Sequence, residues 1–317
     1  IDMPPVVYRL TQLDYGLVDY RFFSNEQHHH GVRLGRIKNP LGLYNDTRDV
    51  AFTRPGVILP QSIYFERTRD LALSSDGGEM YGELRFAANT LSWELMVAQP
   101  RTSDVDTEIA LLGADRPGHL GGDTSVVGRL TYDHLGGRLR LAISSARLNL
   151  EYQPGLGDPG GAGAIRFTPT ILSAQFNSEN WSITTEYARR NFLFDDKITY
   201  IPPNLKTISG KSYYLQSEYR LTEKWELMAR YDVAYQNVDD ETGQKFAALA
   251  AGAIPAHSQF SKDWTVGVRW NPSPVWMVRA EQHWINGTAW LPFQDNPDRS
   301  ITSQNWRLFT VLVSYRF

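Results

Sequence analysis

The stretch Trp306-Arg-Leu-Phe-Thr-Val-Leu-Val-Ser-Tyr-Arg-Phe317 decides the fold. Strand side chains alternate with period two. Phe309, Val311, Val313, Tyr315 and Phe317 therefore share one face, and Thr310, Ser314 and Arg316 share the other. In a soluble sandwich so apolar a final strand would need cover from a second layer. In a transmembrane barrel the apolar face meets lipid and the polar face meets a water-filled lumen. The same pattern recurs along the chain. The expected fold is all-β: a transmembrane antiparallel β-barrel, one domain over residues 1–317.

Working outward from that strand, alternating segments come in pairs joined by short turns. In Trp225–Tyr235, residues Trp225, Leu227, Ala229, Tyr231, Val233 and Tyr235 face one way, while Glu226, Arg230 and Asp232 face the other. Its partner Tyr213–Leu221 lies across Thr222–Lys224. Similar pairs are Trp264–Trp270 with Trp276–Trp284, Val126–Tyr132 with Leu139–Ser145, and Leu172–Phe176 with Ile183–Tyr187. Two earlier pairs are Met80–Phe86 with Trp93–Val97 and Val18–Phe22 with Val32–Ile37. Long connections rich in Gly, Pro, Asp and Asn separate the pairs: Tyr44–Arg67, Thr102–Thr124, Gln153–Ala164, Asp195–Lys211, Asp239–Lys262 and Leu291–Asn305. Short turns on one side and long loops on the other match periplasmic turns and extracellular loops. The count comes to roughly thirteen strands, whereas single-chain bacterial barrels carry even numbers. Strands are thus expected before the first clear one, with Met3–Leu10 a candidate tail of such a strand. Outward parity sets Trp225, Tyr231, Val233, Tyr235, Trp264, Trp276 and Phe317 against lipid.

Composition agrees. Hydrophobic residues make up 42% of the 317, and mean hydropathy is −0.38. No run approaches the roughly 20 apolar residues of a spanning helix, which barrel strands do not need. The 9 Trp, 16 Tyr and 14 Phe suffice for aromatic girdles. Cysteine is absent, which excludes disulfides and thiolate metal sites and suits export. A net charge of −3 argues against nucleic acid as a partner. With no leader at Ile1, the chain reads as a mature or truncated form.

Asp19-Tyr-Arg-Phe22, Val32-Arg-Leu-Gly-Arg-Ile-Lys-Asn-Pro-Leu-Gly-Leu-Tyr-Asn-Asp-Thr-Arg-Asp49, Phe52-Thr-Arg-Pro55, Leu59-Pro-Gln-Ser-Ile-Tyr-Phe65 and Arg69-Asp-Leu71 form one block. This block resembles the strand and following loop of the phosphate-selective porin superfamily of proteobacteria. The resemblance implies about sixteen strands in the full-length protein, some three of them ahead of Ile1, and possible homotrimers. Phosphate-selective members carry a basic lumen, and here the chain departs from them. Arg36, Lys38, Arg85, Arg129, Arg140, Arg190, Arg220, Arg230, Arg269 and Arg279 are opposed by Asp19, Glu83, Glu94, Asp133, Glu186, Glu218, Glu226, Asp232 and Glu281. Interleaved signs give a transverse field and weak selectivity.

The segment Tyr44–Arg67 carries Asn45, Asp46, Arg48, Asp49, Arg54, Gln61 and Tyr64 among Phe52, Val57, Ile58 and Leu59. Its apolar content suits either folding into the lumen, which it would narrow, or packing on a neighbouring subunit. The expected pore-lining or constriction residues are Arg36, Lys38, Arg48, Arg54, Tyr64, Glu83, Arg85, Glu94, Arg129, Arg140, Arg230, Arg269 and Arg279. Arg36 and Lys38 are read as lumen-facing, with salt bridges to carboxylates such as Glu83 as the alternative role. His28-His-His30 reads as a solvated turn rather than a metal site, and His283 as a polar wall residue. Gly-x-Ser-x-Gly is absent, and Gly155–Gly163 lacks the Lys-Ser/Thr ending of a phosphate loop. No cofactor, metal or catalytic residue is expected. The reading is a bacterial outer-membrane porin that passes small hydrophilic solutes or ions, with outer-membrane lipid and lipopolysaccharide around it. The alternative is a barrel that sheathes or anchors another outer-membrane component.

Overall fold

A computed structural model describes residues 13–102, 104–199, 201–292 and 295–317. Met3–Leu10 lies outside the described residues. The chain forms thirteen strands: β1 (Gly16–Ser24), β2 (His28–Lys38), β3 (Ser74–Phe86), β4 (Asn89–Pro100), β5 (His119–His134), β6 (Leu139–Gln153), β7 (Gly163–Asn177), β8 (Trp181–Phe194), β9 (Thr207–Arg220), β10 (Trp225–Tyr235), β11 (Phe260–Ser273), β12 (Trp276–Asn286) and β13 (Asn305–Tyr315). Each pairs antiparallel with the next, in chain order. Among the described residues β1 and β13 do not pair with each other, so the sheet is open. All nine residues of β1 are exposed, as expected of an edge strand covered on neither face.

One face of the sheet is an apolar belt. Leu215, Trp264, Val266, Phe309, Val311 and Val313 are all exposed on it. Aromatics cluster near its turn end, with Trp181–Tyr219, Trp225–Trp270 and Trp276–Tyr315 ring centroids 4.6, 5.6 and 4.9 Å apart. A second row, with Tyr231 4.5 Å from Trp264, runs nearer the loop end. Trp225 and Tyr231 are six residues apart, about 20 Å of strand at ~3.4 Å per residue. That span matches the lipid-facing band of an outer-membrane barrel, flanked by aromatic girdles. No described helix is long and apolar enough to cross a membrane.

Above the belt the pattern inverts. In β6 the outer residues Leu141 and Ile143 are exposed, but further up the same face carries Arg147, Asn149 and Glu151. The inner residues there are Leu148, Leu150 and Tyr152, each at most 1% exposed. Beyond the hydrocarbon the outside meets water, while the inside packs against loops that fold over the rim. Alternation read as apolar-outside therefore ends the strand at Ser145, eight residues short of Gln153. The interior cluster recruits Leu111 and Leu112 from a helix over Val105–Leu112, within the expected loop Thr102–Thr124. Asp104 caps that helix by accepting the Asp106 N–H.

Two other expectations are corrected. His28–His30 belong to β2 rather than to a turn, because the preceding turn closes at Asn25–Gln27, where Asn25 Oδ1 accepts two backbone N–H groups. Val233 has outward parity but is 1% exposed, flanked in register by Tyr213 and Lys262 near the loop end. Bulky neighbours shield it.

Candidate functional site: a loop clamped across the inner face

Residues 39–73, between β2 and β3, fold over the face opposite the apolar belt. The neck is closed by side-chain amides. Asn39 Nδ2 donates to the Leu71 and Ala72 carbonyls, and Asn45 Nδ2 donates to those of Asn39, Ala72 and Leu73. Such closure makes a compact loop that holds its own shape. Gly42, at φ +64°, turns the chain inward, and a Cβ there would lie 2.4 Å from the Tyr64 hydroxyl.

From that turn the loop meets wall residues of strands β5 to β12, and most contacts go to its backbone. Tyr64 Oη accepts the N–H groups of Leu43 and Tyr44 at 2.8 and 3.0 Å and donates to Glu186 at 2.6 Å. Glu186 is fully buried and accepts three further bonds, from Ser173, Tyr214 and the Leu43 N–H. Arg129 donates to the Gly42 carbonyl and pairs with Asp46 at 2.6 Å and Glu94 at 2.7 Å. At the far reach of the loop, Glu281 accepts the Val57 and Ile58 N–H groups at 2.6 and 3.2 Å. Arg279 donates to the Arg54 and Gly56 carbonyls, Arg230 to the Ile58 carbonyl, and Asp232 accepts the Ser62 N–H.

The physical logic is consistent along the loop. Buried backbone groups require partners, and a charged partner gives the stronger bond. Wall arginines serve the loop carbonyls and wall carboxylates serve its N–H groups, so charges of both signs are needed on one wall. Tyr44, Leu59, Tyr64 and Tyr214 pack into a small apolar cluster beneath. Phe65 lies between Arg190 and Arg67, 4.6 and 5.6 Å from their guanidinium carbons.

The structure gathers Arg48, Arg54, Tyr64, Glu94, Arg129, Arg230 and Arg279 in or against this loop. Arg48 is 1% exposed and pairs with Glu66 at 2.7 Å. Lys38 reaches the loop neck, with Nζ 2.9 Å from both Asp49 and the Asp46 carbonyl. The remaining residues bond elsewhere. Arg36 makes a two-point pair with Asp76, at 2.7 and 2.9 Å, and donates to the Leu13 carbonyl. Its register shares the alternation class of Leu34 and Met80 on the outer face, whereas Arg33 takes the inner position beside Glu79. The lumen-facing reading of Arg36, and the role of Glu83 as partner of Arg36 and Lys38, are corrected accordingly. Glu83 pairs with Arg85 near the turn end, and Arg140 pairs with Asp133 at 2.7 Å. Arg269 lies 3.8 Å from Glu226.

Glu186, Asp232 and Glu281 are legible from the sequence only as inward carboxylates. Nothing there marks them as clamps, because the loop N–H groups they hold, those of Leu43, Ser62, Val57 and Ile58, lie more than a hundred residues away in the chain. Ser144, which accepts the Gly42 N–H, and Ser173 carry no signal beyond inward parity.

At the loop neck, Asp49 sits below the usual carboxylate range. Burial works against ionisation there, but Lys38 and Arg69 beside the carboxylate prevail. His283 contacts Asp263 at 2.8 Å and Glu281 at 3.4 Å. Among the described residues no group of three or more His, Asp or Glu is placed to hold a metal ion.

Two cavities stand out, one under the clamped loop and one lined by wall residues alone. One of about 370 Å³ lies toward the turn end of β7–β11, under loop residues 52–55. Another of about 340 Å³ lies against β1–β4, beside Asp19, Arg33, Tyr81 and Glu94.

No known family pattern matches the chain, and neither does any curated protein. Solved structures do match. The outer membrane channel DcaP of Acinetobacter baumannii aligns with a TM-score of 0.52 at 10% identity, over 92% of this chain and 74% of that one. OmpT of Vibrio cholerae gives 0.55 at 9% identity, over 95% and 80%. Salmonella typhi OmpF gives 0.52 at 11% identity, over 91% and 74%. The chain has the porin-like fold of the bacterial outer-membrane β-barrels.

Proposed function

We infer that the protein is an outer-membrane diffusion channel for small hydrophilic solutes or ions, with weak charge selectivity and without covalent chemistry. The observation that carries this reading is the loop over residues 39–73, laid across a polar inner face and fastened by Arg129, Glu186, Arg230, Arg279 and Glu281. A clamped loop inside a barrel narrows the passage. It also occupies space that a sheathed partner would need, which supports the channel over the sheath.

Weak selectivity follows from how the wall charges are used. Arg129, Arg33 and Arg140 on the wall and Lys38 at the loop neck have carboxylate partners, which reduces the net field of one sign. The resemblance of residues 19–71 to phosphate-selective porins supports a pore of that general kind. The paired charges favour a less selective one. Homotrimers belong to the same reading, and the V. cholerae protein has been solved in a trimer form.

Reconstitution of the full-length protein in a planar bilayer tests the proposal. It should show stepwise conductance and a reversal potential near zero in a salt gradient. Deleting Asp46–Ile58 should raise the unit conductance. A silent bilayer from correctly folded protein, or a deletion that leaves conductance unchanged, would favour the sheath.

A further inference from the structure

Most inner-wall charges are spent on the loop or on one another, but those around the 370 Å³ cavity are not. Among the described residues the Glu218 carboxylate takes a hydrogen bond only from the Gln216 amide, at 2.7 Å. Arg220, two residues along the same face, reaches only the Glu179 carbonyl among the described residues, at 3.5 Å. The Arg54 backbone carbonyl is held by Arg279, while its half-buried guanidinium has no carboxylate within ion-pair distance among the described residues. The nearby Arg269–Glu226 pair is long, at 3.8 Å. The second cavity differs, since Arg33 there is bonded to Asp19 and Glu79, Arg85 to Glu83, and Glu94 to Arg129.

Unspent charges of both signs lining one cavity suit a solute that carries both. Tyr44 and Phe52 add ring surface to the same cavity. Its volume lies at the lower end of small-molecule sites, about 300–1,000 Å³. A simple anion would meet Glu218 and a simple cation would meet the arginines, whereas a dipolar molecule can satisfy both. We propose that this cavity is a subsite for small zwitterionic solutes such as free α-amino acids. The solute carboxylate binds Arg54 and Arg220, the ammonium binds Glu218, and the side chain rests on Tyr44 and Phe52. This rests on the channel reading and names the solute class it favours.

The test uses the full-length protein in a planar bilayer, with L-glutamine, D-glucose, L-glutamate and L-lysine as probes at neutral pH. Millimolar glutamine should interrupt the salt current in a saturable way, and glucose at the same concentration should not. Glu218→Gln and Arg220→Gln should each weaken the glutamine block about tenfold, the worth of one charge-assisted hydrogen bond. Glu218→Gln should also shift preference toward glutamate, and Arg220→Gln toward lysine. Arg54→Gln, in the loop rather than the wall, removes a cation without touching a strand and covers the case of a misfolded wall variant. Equal effects of glutamine and glucose, or variants that leave the block unchanged, overturn the subsite and leave the channel standing. Loss of all salt conductance overturns the channel and the subsite with it.

Discussion

Replacing Glu186 with Gln should loosen the base of the clamped loop without unfolding the barrel. The buried carboxylate accepts four hydrogen bonds: Ser173 and the Leu43 N–H on Oε1, Tyr64 and Tyr214 on Oε2. Bonds to a charged acceptor contribute about 1.5–3 kcal/mol, against about 0.5–1.5 for neutral ones, so losing the charge costs about 1 kcal/mol at each contact. The amide also brings a donor to the Tyr64 hydroxyl, which already accepts two N–H groups and must donate its own proton. That orphaned proton adds about 1–3 kcal/mol. Relief of the carboxylate's desolvation opposes this by several kcal/mol. The net expectation is about 2–4 kcal/mol of loop docking, or roughly 30-fold to several-hundred-fold more opening. Arg48 reports on opening because its side chain is 1% exposed and its guanidinium contacts the Tyr64 carbonyl. Trypsin cleavage after Arg48 should accelerate by the same factor where reclosing is fast relative to cutting. The barrel should keep its heat-modifiable migration. Cleavage within threefold of wild type, with the barrel intact, would refute the clamp.

Other outcomes follow from the same geometry. Gly42→Ala should mimic Glu186→Gln, since its Cβ would press on Tyr64 at a φ that favours glycine; equal trypsin resistance in the variant would count against the turn. Leu215→Arg, on an outer-face site that is 56% exposed, should cost about 2–4 kcal/mol of barrel stability in urea titrations, and the shielded site Val233 should respond differently; indifference at Leu215 would contradict the register. Because the Asp49 carboxyl is depressed in the folded state, its contribution is present above the ordinary value of 3.8 and is lost as pH falls through the lower folded value. Channel noise should therefore rise on acidification below that point, and Asp49→Asn should be noisy already at pH 6. Arg36→Glu should leave the reversal potential nearly unmoved, since Arg36 is tied to Asp76 away from the loop; a clear cation shift would restore it to the passage.

Alternation alone revealed all thirteen strands, because a barrel wall divides lipid from water and every second residue records that division. Phe309, Val311 and Val313, and the Trp225 and Trp276 positions, needed no tertiary information. Strand ends were legible only within the hydrocarbon. Past Ser145 the code reverses, since Arg147 and Glu151 meet water while Leu148 and Leu150 pack under folded loops. The sequence also marked residues 44–67 as a loop with too much apolar surface to float, and it supplied the inward charges of both signs. It could not say which of them touch the loop. Parity assigns a face but no partner, and a backbone carbonyl looks the same at every position, so only the folded chain shows that Arg230 serves Ile58 and Glu281 serves Val57. Near strand ends parity itself misleads about exposure, as at Val233. There the alternation class continues while the surroundings have changed from lipid or lumen to neighbouring side chains.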